Sequence, residues 1–153
     1  MTIHPSRRRR AFLAATAALP VSLLVCRASV AQLPDELMAV VSQYTGGKPL
    51  RTGRVRFDIA SIVENGNSVP VTVSVDSPMS ASEYVKSIAI FNEKNPQRDV
   101  MVAKLGPRAG KARVSTRIRL ATSQKLVAVA EMSDGSYWSH PVEVIVALAA
   151  CLE

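Results

Sequence analysis

Cysteine is almost absent from this 153-residue chain, which contains only Cys26 and Cys151. Cys26 falls in an N-terminal segment predicted to be removed, so Cys151 is left alone and cannot be half of an internal disulfide. Histidine is equally scarce: His4 lies in the same segment, and His140 by itself cannot assemble a histidine-rich metal site. The glycines form no phosphate loop of the P-loop or dinucleotide kind. No internal repeat or low-complexity linker divides the chain. The long apolar run from Ala11 to Val25 is too short to span a bilayer comfortably.

That run has a different reading. Arg7, Arg8, Arg9 and Arg10 precede it, and Ser29-Val30-Ala31 follows with small residues at the last and third-last positions before a cut between Ala31 and Gln32. Residues 1–31 are therefore predicted to be a secretory signal peptide. Arg9-Arg10-Ala11-Phe12-Leu13 resembles the twin-arginine export pattern, which predicts a periplasmic protein. Leu24-Val25-Cys26 lacks the small residue expected before a lipidated cysteine. The formal net charge of +7 also belongs mostly to this segment: removing its five arginines leaves 14 basic and 12 acidic residues. The exported part thus lacks the basic excess that nucleic-acid binding requires.

The remaining 122 residues are enough for one domain with an apolar core that needs neither disulfides nor metal. Pro34-Asp35-Glu36 starts a short helix, Leu37, Val40, Val41 and Tyr44 give it an apolar stripe, and Gly46-Gly47 stops it. Afterwards the period is mostly two. Val69, Val71, Val73 and Val75 share one face, and Val114, Thr116, Ile118 and Leu120 alternate with Arg113, Ser115, Arg117 and Arg119. Further strands are predicted over 54–58, 85–91, 100–105, 126–132 and 141–147. Asn65-Gly66, Asn95-Pro96, Gly106-Pro107 and Asp134-Gly135 supply turns, and Ser80 with Glu83 is spaced as a capping box for a local turn. Some seven strands without a βαβ rhythm predict an all-β, immunoglobulin-like antiparallel β-sandwich over 32–146, followed by a C-terminal arm over 147–153.

Catalytic signals are sparse. His140 beside Trp138 reads as a rim residue at a strand start, separated from Cys151 by a strand. Glu64, Glu93, Glu131 and Asp134 have no spacing that pairs them, and Met79, Met101 and Met132 read as packing rather than soft-metal ligands. Arg113, Arg117 and Arg119 form either a solvated stripe or an electropositive surface for a small oxyanion or an acidic partner. Cys151 has three roles open to it: an inert tail residue, an intermolecular cross-link, or a reactive thiol on a tether. Thiolate nucleophilicity and exchangeable sulfur–sulfur bonds suit the last.

Several long stretches resemble the SoxY family of bacterial thiosulfate oxidation. They are Glu64-Asn65-Gly66-Asn67-Ser68-Val69-Pro70-Val71, Tyr84-Val85-Lys86 with Ile88, Ile90 and Phe91, Glu93-Lys94-Asn95-Pro96, Val114 through Gln124, and Ala128 through Gly135. The resemblance implies an immunoglobulin-like sandwich, a SoxZ heterodimer, no cofactor and no catalysis of its own. It also implies that Cys151 is the covalent attachment site for sulfur on a mobile arm. The haem enzyme SoxXA would join thiosulfate to it, SoxB would release sulfate, and SoxCD would oxidise the remaining sulfur where present.

The departure from the family lies at the arm. Where the family has Gly-Gly-Cys-Gly-Gly, this chain has Ala149-Ala150-Cys151-Leu152-Glu153. Each alanine removes backbone freedom worth on the order of 0.5–1 kcal/mol. Leu152 adds bulk beside the sulfur, and Glu153 with a terminal carboxylate adds negative charge that opposes thiolate formation and repels thiosulfate. The expectation is a stiffer, more anionic arm. It either still works, or belongs to an impaired copy that serves mainly to bind SoxZ, or ends in two residues that are not the natural terminus.

Overall fold

The computed structural model describes residues 33–148. Helix α1 (Asp35–Thr45) begins after Pro34, with Asp35 and Glu36 in its first turn, where the positive end of the helix favours carboxylates. It ends at Gly46, whose φ of 65° is left-handed, and the N–H of Gly47 closes the last turn on the Ser42 carbonyl at 2.9 Å. Leu37 and Val41 are buried as expected, while Val40 and Tyr44 flank them half-buried.

The strands are β1 (Leu50–Arg51), β2 (Val55–Asp58), β3 (Ile62–Asn65), β4 (Val69–Val75), β5 (Val85–Asn92), β6 (Asp99–Lys104), β7 (Arg113–Ile118), β8 (Gln124–Met132) and β9 (Tyr137–Leu148). One sheet runs β1-β9-β8-β5-β6, with β3 also on β9, and a second runs β2-β4-β7. The result is mostly β with a short N-terminal helix and a curled, open half-barrel sheet.

Two apolar layers result. Alternate residues of β4 (Val69, Val71, Val73, Val75) meet Ile88 and Ile90 of β5 and Leu126, Ala128 and Ala130 of β8 between the sheets. The opposite faces of β5 and β8, with Ala89, Phe91, Val127 and Val129, pack under Leu37 and Val41 of α1. These two strands are apolar on both faces because both faces are covered, which explains their near-continuous hydrophobic runs.

Two expectations need correction. The sandwich is not wholly antiparallel: β1 and β3, which the period-two pattern missed, both lie parallel to β9. The last strand begins at Tyr137, not Pro141, so His140 sits inside it, opposite Ala128. The strand continues two residues past Val146, with Leu148 paired to Asn65. Pro141 is tolerated mid-strand because of edge geometry. The Ile145 N–H points to the outer edge, where it meets the Ser61 carbonyl at 2.8 Å, and Pro141 has the same parity. Its missing N–H therefore falls in the unpaired gap between Trp138, the last residue on β1, and Ile145, the first on β3.

The Ser80–Glu83 turn forms, with Glu83 N–H donating to Ser80 Oγ at 3.1 Å, but the reciprocal bond, donated by the Ser80 N–H, is accepted by the Glu83 backbone carbonyl and not by its side chain. The Glu83 carboxylate instead meets Arg54 at 2.6 Å.

Candidate functional site

Cys151, with Ala149, Ala150, Leu152 and Glu153, lies outside the described residues. What the structure does define is the foot from which that segment leaves. On one edge of β9, β3 pairs Ile62 with Ile145, Val63 with Val146 and Asn65 with Leu148. On the other, the Val146 N–H donates to Ser123 Oγ at 2.9 Å. The last described residue is fastened too: the Gly66 N–H donates to the Leu148 carbonyl at 2.9 Å, and the Gly66 carbonyl accepts from the Leu120 N–H at 2.9 Å. Gly66 thus bridges the end of β9 to Leu120, two residues beyond β7. Asn65 Oδ1 shapes this turn by accepting the Asn67 N–H at 2.9 Å.

A buried amide network braces the same end of the molecule. Gln124, buried at 3 % exposure, accepts the Lys94 N–H at 2.9 Å and donates to Asn95 Oδ1 at 2.8 Å and to the Thr122 carbonyl at 3.2 Å. Asn95 in turn accepts the Ala121 N–H at 3.0 Å and donates to the Arg119 carbonyl at 2.8 Å. Glu93 accepts the Lys125 N–H at 3.0 Å. The segments 93–96 and 119–125 are therefore one interlocked unit. Asn95-Pro96, expected only as a turn, and Gln124, to which the sequence gives no role, meet across 29 residues, so no local signal marks the network. Gln124→Leu should cost about 2–3 kcal/mol, because it strands buried donors and acceptors. Urea unfolding measures the loss, and amide exchange at Val146 should accelerate with it.

The other singled-out residues sit elsewhere. His140 places Nδ1 2.9 Å from the Val55 carbonyl, tying β9 to β2. Eight residues of strand separate it from Leu148, about 26 Å, and the three residues from Leu148 to Cys151 reach about 10 Å at most. A Cys151–His140 couple is thereby ruled out by chain length. Trp138 is flanked by Arg51 and Arg54, whose guanidinium carbons lie 5.8 and 5.1 Å from its ring centre.

Asp134 is hairpin chemistry: it accepts the Ser136 hydroxyl at 2.6 Å and N–H at 2.8 Å, and these bonds hold its carboxyl below the usual range. Glu131 lies 3.5 Å from Lys86. Burial pushes the Tyr44 and Tyr137 hydroxyls up. Met79 and Met132 are buried in the inter-sheet core, with Met101 packed against it. Arg113, Arg117 and Arg119 are exposed, and among the described residues none forms an ion pair. Among the described residues no three His, Cys, Asp or Glu side chains converge as a metal site. A groove of about 520 Å³ lined by Leu33, Met38, Leu50 and Pro141 opens between α1 and β9. It lies seven residues down the strand from Leu148.

Comparison with known proteins places these features. The family model described as sulfur oxidation protein SoxY matches residues 41–151. The sulfur carrier protein SoxY from Chlorobium limicola f thiosulfatophilum is similar in structure, with a TM-score of 0.60, 30 % identity, and coverage of 72 % of this chain and 94 % of that one. A superoxide reductase (neelaredoxin) from Ignicoccus hospitalis has a TM-score of 0.55 at 18 % identity, covering 71 % of this chain and 86 % of its own. A superoxide reductase from Nanoarchaeum equitans has a TM-score of 0.52 at 13 % identity, covering 63 % and 100 %. These last two likenesses show the fold alone. No curated protein matches the chain.

Proposed function

The chain belongs to the SoxY family of sulfur-carrier proteins, which are not themselves enzymes, and from that premise we propose that Cys151 carries thiosulfate-derived sulfur covalently. The single observation that carries this reading is that the family match runs through residue 151 and so takes in the lone cysteine. A tethered thiol needs no catalytic cleft, since the chemistry belongs to the enzymes it visits.

The steps balance as follows. A Cys151 thiolate and thiosulfate lose two electrons to the haem enzyme SoxXA, forming a sulfur–sulfur bond and a cysteine S-thiosulfonate. Water then attacks the terminal sulfonate on SoxB, releasing sulfate and two protons and leaving a persulfide on Cys151. Where SoxCD is present, it oxidises that sulfur further. The protein acts in the periplasm after twin-arginine export, as a heterodimer with SoxZ. The two-sheet core supports an immunoglobulin-like description of the sandwich, which must accommodate the parallel β1 and β3.

The arm in this reading starts after Leu148. A second reading, a SoxZ-binding subunit that carries nothing, is favoured by Ala149-Ala150 and Leu152-Glu153 standing where the family has glycines. One experiment separates the two: Cys151→Ser is expressed in a strain lacking its own copy. The carrier reading expects SoxZ to co-purify at the wild-type yield while thiosulfate-dependent sulfate formation falls to background. Sulfate formation at the wild-type rate would leave only the binding-module reading. A further expectation concerns stiffness. Replacing Ala149 and Ala150 by glycine should raise the rate of Cys151 loading by about two- to five-fold per residue, as the returned backbone freedom implies; stopped-flow loading with SoxXA measures it.

A further inference from the structure

Residues 100–130 carry seven basic side chains and no carboxylate, whereas the rest of the chain from Gln32 onward carries seven basic and 12 acidic residues. The field is thus strongly asymmetric although the net charge is small. Two of these cations stand at the foot of the arm. Arg117, on the solvent-facing side of β7 opposite Pro70, donates to Ser68 Oγ at 3.4 Å. Ser68 is two residues from Gly66, the glycine bonded to Leu148. Arg119 immediately precedes Leu120, the other residue bonded to Gly66, and its own carbonyl is fixed by Asn95 at 2.8 Å. Both arginines are exposed, and among the described residues neither is ion-paired.

We propose that Arg117 and Arg119 form an oxyanion-binding site at the foot of the arm, which holds the terminal sulfonate of the Cys151 cargo between visits to partner enzymes. This rests on the carrier reading above. Guanidinium groups suit the ligand because their planar forks donate to several sulfonate oxygens at once, as they do to phosphate. The reach is adequate: three residues from Leu148 span about 10 Å, and an arginine side chain extends to meet the cargo. Docking an anionic cargo there would also offset the repulsion from Glu153.

The test uses protein purified from the periplasm and two reagents that load a thiol without any partner enzyme. Tetrathionate exchanges with the thiolate to give the S-thiosulfonate and free thiosulfate. Methyl methanethiosulfonate instead leaves an uncharged methylthio group and releases methanesulfinate. The S-thiosulfonate form should shift the backbone amide resonances of Ser68, Arg117 and Arg119, the methylthio form should not, and Arg117→Gln with Arg119→Gln should abolish the shift. In the Arg117→Glu, Arg119→Glu double variant, loading by dianionic tetrathionate should slow about five-fold relative to the neutral reagent, through loss of electrostatic attraction.

Equal shifts from both adducts, or an unchanged rate ratio, would overturn the proposal. A shift already present in unloaded protein and lost in Glu153→Gln would also overturn it, since the occupant would then be the tail carboxylate. Tetrathionate loads the thiol whether or not cells use it as a carrier. A failed carrier reading would therefore appear separately, as absence of sulfur adducts in thiosulfate-fed cells.

Discussion

Replacing Phe91 with alanine lowers the free energy of unfolding by about 3–5 kcal/mol, the largest stability effect expected of a single side chain here. Phe91 is 2 % exposed and belongs to the apolar layer between α1 and the larger sheet. Its ring centre lies 5.2 Å from that of Tyr44 on α1, tilted by 59°, and it stands opposite Val127 on β8. Truncation removes both the buried area and the tilted aromatic contact, and the β5–β8 backbone cannot collapse into the space without breaking its ladder. Urea unfolding should show the midpoint fall, and amide exchange should accelerate throughout α1. Val102→Ala is the control: Val102 is 47 % exposed on β6 and should change stability by no more than about 0.5 kcal/mol. A loss below about 1 kcal/mol for Phe91→Ala would mean that the helix is not packed on the sheet as described.

The same two layers explain what the sequence made legible. Val69 to Val75 and Val114 to Ile118 alternate because their outer face meets water, so period two located β4 and β7 directly. Helix α1 was bounded by Pro34 and Gly46, residues whose backbone preferences act locally. β1 and β3 escaped because they are two and four residues long, and what holds them is pairing with β9, distant in sequence. Only Val63 of β3 is buried, so no alternation marks the strand.

The end of the molecule where β9 stops was half legible. Arg117 and Arg119 stand out there by composition, as Cys151 does in the sequence that follows. The Gly66 bridge, made by backbone groups, and the Asn95–Gln124 brace, made by side-chain amides, join partners that meet across 24 to 82 residues of chain. Of the stretches that carried the family resemblance, Glu64 to Val71, Glu93 to Pro96 and the segment ending at Gln124 meet at this end. Much of that likeness thus falls on residues that fasten the end of β9.

The second large effect is chemical and complete. If Cys151 is the carrier, the sulfur it holds is covalent, survives purification without reductant, and has no other cysteine to sit on once residues 1–31, which hold Cys26, are removed. A reductant should strip it, because the bond is an exchangeable sulfur–sulfur linkage. Intact-mass measurement of protein isolated from thiosulfate-oxidising cells tests this most directly. The expected result is a ladder of sulfur-containing adducts, including the S-thiosulfonate, that collapses to the unmodified mass with dithiothreitol and is absent from Cys151→Ser. Wild-type protein that stays at its unmodified mass throughout active thiosulfate turnover would contradict the account.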